Sequence, residues 1–145
     1  MTSQTKPIGY LLKRAQHLMR LRMDELLAPY GLTAPQYAVM AAIQWTPGAT
    51  GAALAREALV TAQTMGGLIQ ALEQAGYVER AAVEGNARRI ANRLTASGAD
   101  VLHRAHGDVA PLEAELVSDL DGASLGAVNA ALVAIADRLA SRRPA

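Results

Sequence analysis

No cysteine and no phenylalanine occur in this 145-residue chain, and its aromatic residues are one Trp and four Tyr. The missing thiols exclude a disulfide framework, a thiolate metal site, a cysteine nucleophile and a thiol redox switch, and they are compatible with a reducing compartment. Val, Ile and aromatic residues, which favour strands, are sparse, which argues against an all-β fold. Long apolar runs are missing too: Ala130–Ala136 stops far short of the roughly 20 residues that a membrane span needs. The segment Met1–Lys6 is polar and leads into a charged amphipathic stretch rather than a signal-peptide core. A soluble, cytoplasmic protein is expected.

What is abundant is Ala, with 31 residues, and Leu, with 19, both strong helix formers. A chain that is 51% hydrophobic and 19% charged is too apolar for disorder and can fill a core. Its length suggests one domain. The net charge of +1 hides a segregation along the chain. Residues 1–45 carry five Lys/Arg against two acids, residues 46–95 five against four, and residues 96–145 four against seven, so the acidic balance belongs to the last third.

Apolar residues Ile8, Leu11, Leu12, Ala15, Leu18, Met19 and Leu26 recur at helical spacing and predict a long first helix ending at Pro29-Tyr30-Gly31. Thr33-Ala34-Pro35-Gln36 reads as an N-cap with Pro in the first turn and opens a second helix through Gln44. Thr50 caps a short third helix, Gly51–Ala58, and Thr61 a fourth, Ala62–Ala75, closed by Gly76. Only Leu59 and Val60 separate these two, which is the shape of a helix-turn-helix. Tyr77–Arg80 and Arg89–Leu94 then read as weak strands around the turn Glu84-Gly85-Asn86. Thr95 or Ser97 caps a fifth helix, with Pro111 as a kink or break and an end at Asp121-Gly122. Ser124 starts a sixth, striped by Leu125, Val128, Leu132, Ile135 and Leu139. The apolar faces at both ends argue for pairing with a second copy.

A helix-turn-helix followed by a hairpin is a winged helix, a mainly α fold with a small β-hairpin wing. Its second motif helix lies in the major groove and its hairpin reaches the neighbouring backbone or minor groove. Gln63 offers an amide suited to adenine, Thr64 a hydroxyl and methyl that can meet thymine, and Thr61 with the helix N-terminal amides can hold a phosphate. Gln70 lies on the same face as Gln63. Gly66 and Gly67 cost about 1 kcal/mol each inside a helix, which either close approach to a partner or tight contact with another helix would justify. In the wing, strand alternation puts Arg89 and Arg93 on one side and Arg88 with Ile90 on the other, so the three Arg cannot all face one ligand. Arg88, nearest the tip, is the favoured contact, and a solvated charge run is the alternative.

The chain resembles the multiple-antibiotic-resistance regulator (MarR) family of winged-helix transcription factors over nearly its whole length. The resemblance rests on Leu32-Thr33-Ala34-Pro35-Gln36-Tyr37, Leu54-Ala55 and Leu59-Val60-Thr61-Ala62-Gln63-Thr64-Met65. It continues through Leu72-Glu73-Gln74-Ala75-Gly76-Tyr77-Val78-Glu79-Arg80 and Leu94-Thr95-Ala96-Ser97-Gly98, the two most specific strings. It implies a winged helix-turn-helix over residues 32–96 flanked by dimerisation helices at 6–30 and 97–143. It further implies an obligate homodimer on a pseudo-palindromic operator, released by a small aromatic or phenolic ligand.

DNA-facing positions are then Thr50, Thr61, Ala62, Gln63, Thr64, Gly67, Gln70, Asn86, Arg88 and Arg89. From where the family places its pocket, ligand candidates are Tyr10, Arg14, His17, Tyr37, Met40 and Trp45, although core packing is the favoured explanation of Tyr37, Met40 and Trp45. Two departures stand out. Counting back from Leu94 puts Asn86 where the family carries Asp, whereas matching the Arg pair Arg88-Arg89 requires a one-residue deletion, and Gly67 and Ala71 stand where many members are basic. His103 and His106, three apart on the fifth helix, form too loose a pattern for a metal site, and no cofactor is expected. No phosphate loop, Gly-x-Ser-x-Gly elbow or His-Glu-x-x-His pair is present, so an enzyme is not expected. The rival reading is a dimeric ligand- or protein-binding helical module without operator recognition, motivated by Gly66, Gly67 and Ala71.

Overall fold

Capping decides where the helices begin. In the computed structural model, which describes residues 5–142, α1 (Ile8–Leu27) passes into a 3-10 turn, Ala28–Tyr30, closed by Gly31 at φ +69°. Met1–Gln4, which belong to the polar leader, and Arg143, the last position of the expected C-terminal range, lie outside the described residues. Thr33 and Gln36 form a reciprocal capping box at the start of α2 (Ala34–Trp45). Asp24 of α1 accepts a further bond from the Ala34 N–H at 2.7 Å, tying the two helices together. Thr50 caps α3 (Gly51–Ala58) and Thr61 caps α4 (Ala62–Gln74). Between them Leu59 sits at φ +58°, in the left-handed region, which gives the motif its sharp turn.

β1 (Val78–Val83) and β2 (Asn86–Leu94) pair antiparallel, with Val78 opposite Leu94 and Ala82 opposite Ile90. Both strands run further toward the tip than the sequence pattern suggests. Ala81 and Ala82 carry no alternating apolar signal, and their pairing with β2 supplies what side chains do not. The ladder then slips: Val83 lies opposite Asn86, so Ala87, Arg88 and Arg89 bulge out of the register.

Two compact units divide the chain, residues 1–109 and 110–145. The core of the first gathers the inward faces of its helices around Leu27, Met40, Ile43, Met65, Ile69 and Leu72, each under 2% exposed. Asn92 of β2 is fully buried there, and both its Nδ2 and its backbone N–H donate to the Ala49 carbonyl at 3.0 Å. With Gly48 donating to the Asn92 carbonyl and Thr50 bridging Ala91, the loop before α3 is fastened to the wing.

Thr95 is the joint after the wing. Its hydroxyl donates to the Gly76 carbonyl at 2.6 Å and accepts from the Gly98 N–H, while its own N–H donates to the Tyr77 carbonyl. Gly98 leaves no room for a side chain, since a Cβ there would stand 2.0 Å from the Tyr77 carbonyl oxygen. Thr95 thus caps α5 (Ala96–Leu116), which begins in the first unit and ends in the second. Pro111, expected as a kink or break, lies inside the helix and does not end it; it removes one backbone donor there.

α5 ends at Leu116 rather than at Asp121-Gly122, and α6 spans Gly122–Ala140. Three-residue turn bonds from Val117, Ser118 and Leu120 loosen the chain after Leu116. Asp121, expected to close the fifth helix, instead caps the sixth by accepting the Ser124 N–H at 2.7 Å. No residue of α6 is buried, and Val133 and Leu139 are 61% and 63% exposed. On α1, Ile8, Leu11 and Leu18 are likewise exposed. By length and composition α6 could cross a membrane. Asn129, Asp137 and Arg138 interrupt it, so no single long apolar run marks it in the sequence.

Candidate nucleic-acid interface

Met65, Ile69 and Leu72 bury one face of α4, which leaves the opposite face to solvent. Gln63, Gly66, Gly67 and Gln70, spaced three and four apart, form that exposed stripe, and Ala62 and Thr64 are exposed beside it. A Cβ added at Gly66 or Gly67 meets nothing within 4 Å, so no contact with another helix of the chain explains the pair. The only ionisable side chain on the helix is Glu73. The stripe is therefore neutral, polar at both ends and bare backbone in the middle. Thr61, expected to offer its hydroxyl to a phosphate, commits it to the cap: it accepts the Thr64 N–H at 3.1 Å and donates to Thr64 Oγ1 at 3.0 Å.

In the wing, Asn86 Oδ1 accepts the Arg88 N–H at 3.2 Å, so the tip is steadied by an amide turn. The bulge takes Arg88 and Arg89 out of the regular register on which the alternation rests, while Arg93, as expected, does not share their groove. Arg88 and Arg89, adjacent in sequence and assigned to opposite sides, both line one groove with Thr50 and Gly51 of the α3 N-terminus. Arg93, in regular register opposite Glu79, lies over the turn at Gly48 instead. Arg56 of α3 and Arg80 of β1 line the same groove of about 420 Å³, and sequence reasoning missed both. Only an excess of arginine between residues 56 and 93 signalled them, because their meeting depends on the pairing of β2 with the loop before α3.

A cavity of about 450 Å³ lies between α1 and α2, walled by Met19, Arg20 and Met23 on one side and Pro35, Tyr37 and Trp45 on the other. A neighbouring one of about 430 Å³ shares Trp45 and reaches Leu54, Val60, Met65 and Leu68, beneath the helix-turn-helix joint. Of the expected ligand residues, Tyr37 and Trp45 line these cavities, and Trp45 is 77% exposed. Met40 is wholly buried in the core. Tyr10, Arg14 and His17 are exposed on α1 and line neither cavity; Gln16, Met19, Arg20 and Met23, one stripe further round, do so. The cationic group at the cavity is Arg20, 3.9 Å from Asp24.

Around the first unit's α5 segment, Tyr30 donates to Asp108, and that bond raises the Tyr30 phenol above its ordinary pKa. Tyr37 and His106 Nδ1 are 3.2 Å apart. Among the described residues no group of three His, Asp or Glu converges on a metal-sized site, and His103 stands exposed.

A model of the MarR family matches residues 30–98. The HTH-type transcriptional repressor Rv2887 of Mycobacterium tuberculosis is 36% identical over 114 residues, which span 79% of this chain and 82% of that one. A crystal structure of Rv2887 in complex with DNA matches at a TM-score of 0.72 and 30% identity, over 90% of this chain and 98% of that chain. Its complex with salicylic acid matches at 0.70 and 32% identity, over 92% and 98%.

Proposed function

The chain belongs to the MarR family, whose members are transcriptional regulators and not enzymes, and from that premise we propose that it is a homodimeric, ligand-released repressor acting on DNA in the cytoplasm. The observation that carries the reading is the uncovered polar stripe of α4 standing beside an arginine-lined wing. Gln63, Thr64 and Gln70 read base edges in the major groove, with Gly66 and Gly67 letting the backbone approach. Arg88 and Arg89 hold the neighbouring backbone.

The uncovered apolar faces of α1 and α6 seat a second copy, which puts two reading helices on successive major grooves about 34 Å apart. Pairing with that copy, rather than insertion in a bilayer, is the use we assign to α6.

The cavities at Trp45 take a small aromatic acid, with Arg20 as partner for its carboxylate. That choice is supported by the salicylic acid complex of Rv2887. An occupant pressing on Val60, Met65 and Leu68 displaces the start of α4, and the population shifts to lobe positions that no longer span two grooves.

Fluorescence anisotropy with the DNA upstream of the protein's own gene, at two salt concentrations, tests this. Specific binding should weaken in Arg88→Ala and fall on adding salicylate. Binding no tighter than to random DNA, both there and after selection from random sequence, refutes the repressor reading. The lack of any cation on α4 favours one rival, a dimeric ligand-binding module without an operator, and the same experiment decides against or for it.

A further inference from the structure

Four arginines line the groove between α3 and the wing, and they come from three separate elements. Arg56 belongs to α3, Arg80 to β1, and Arg88 and Arg89 to the bulge of β2. No carboxylate lines the groove. Among the described residues none of the four side chains has an ion pair or a hydrogen bond, and the ion pairs found among them, Arg20–Asp24, Arg22–Glu25 and Arg104–Asp100, lie elsewhere. Like charges gathered in one concavity repel each other, and an anion that enters removes that repulsion.

The first turn of α3 adds donors. Thr50 takes up the Ala53 N–H, and the Leu54 N–H goes to the Thr50 carbonyl, while the bridge between Thr50 and Ala91 engages Gly51, which leaves the Ala52 N–H at the groove wall. Each guanidinium presents a planar fork that matches phosphate oxygens in pairs. Four forks and the Ala52 amide offer more donors than the oxygens of one phosphate can accept. A volume of about 420 Å³ holds more than one such group.

We propose that this groove is a phosphoanion site that takes two adjacent phosphoryl groups, with Arg56 and Arg80 completing what the wing arginines begin. Two sources present that chemistry: consecutive phosphates of a DNA strand, and a free pyrophosphate-type anion. Occupancy by the second excludes the first, which gives DNA release an input separate from the apolar cavities. The DNA source rests on the reading of the chain as a DNA-binding regulator; the free anion does not.

Isothermal titration of the DNA-free full chain with pyrophosphate, at low ionic strength against a sulfate control, is compared with the same titration of Arg56→Ala/Arg80→Ala. Both positions are exposed, and an unchanged circular dichroism spectrum verifies the fold. Saturable binding of one pyrophosphate per chain is expected, at least tenfold weaker in the double variant. In parallel, the slope of log affinity for DNA against log salt should fall by about two when the two arginines are removed. Loss of pyrophosphate binding with an unchanged slope assigns the site to the free anion, and a reduced slope without pyrophosphate binding assigns it to DNA. Pyrophosphate binding equal in both proteins, or absent, together with an unchanged slope, overturns the proposal. If the wild-type chain binds no DNA, the repressor reading falls, while the pyrophosphate titration still decides this one.

Discussion

Replacing Gly66 and Gly67 together by Ala separates the stability of α4 from its use. Both glycines lie inside the helix, neither has a positive φ, and a Cβ at either position meets open space. In an exposed helix interior, glycine is about 1 kcal/mol less favourable than alanine, so the double variant should gain about 2 kcal/mol per chain. For a chain of this length the unfolding entropy is roughly 0.3 kcal/mol per kelvin, and the gain corresponds to a rise in Tm of about 6 °C. Urea titration should show a higher midpoint with an unchanged slope. The same two methyl groups stand between Gln63 and Gln70, on the face assigned to base edges. Where a surface is closely packed, added methyls cost about 1–3 kcal/mol, so operator affinity should fall by roughly a factor of ten or more. The two readouts therefore move in opposite directions. A stabler protein that binds its operator undiminished refutes the close approach of α4 to DNA. A protein that is no stabler refutes the reading of this face as open.

Gly98→Ala should destabilise the chain by about 3 kcal/mol, because its Cβ would meet the Tyr77 carbonyl at 2.0 Å and backbone has to move; a lowered urea midpoint checks it. Leu59→Gly should stabilise by about 0.5–1 kcal/mol, since Leu59 holds φ +58° with a side chain 66% exposed and little packing to lose. The backbone N–H of Ser124 holds the Asp121 carboxyl below the usual aspartate range. A depressed folded-state pKa contributes stability above the ordinary value and loses it as pH falls through the folded one. Circular dichroism of the wild type should show helix loss in acid that Asp121→Asn, still a competent cap, lacks in that pH range; identical acid titrations would contradict the assignment.

Local chemistry was legible where the bonds are local. Thr33, Thr50 and Thr61 each cap a helix within three residues, and the spacing of Met65, Ile69 and Leu72 turns α4 inward on one side. These features also located the helix-turn-helix joint and the exposed stripe of Gln63 and Gln70. Asp121 was harder to read, because an Asp-Gly pair suits the end of one helix as well as the start of the next. Only the Ser124 N–H at 2.7 Å decides between them. On α1 the helical period was plain, yet the face turned to the cavity lies on Gln16, Met19, Arg20 and Met23 rather than on Tyr10, Arg14 and His17. Periodicity fixes which residues share a face, and the packing of α2 chooses among the faces.

By itself, then, the sequence determined the element types, the caps of α2, α3 and α4, the order of a winged helix and the absence of thiol chemistry, since each depends on residues a few positions apart. The tertiary structure alone decided the groove. Strand alternation predicts opposite sides for Arg88 and Arg89, and the slip of the ladder after Ala82 takes both out of that alternation and into the lining of one groove. Arg56 and Arg80 join them only because buried Asn92 fastens β2 to Ala49 and so sets the α3 N-terminus against the wing. That fastening closes a loop of more than forty residues, and no local pattern encodes where such a loop will close.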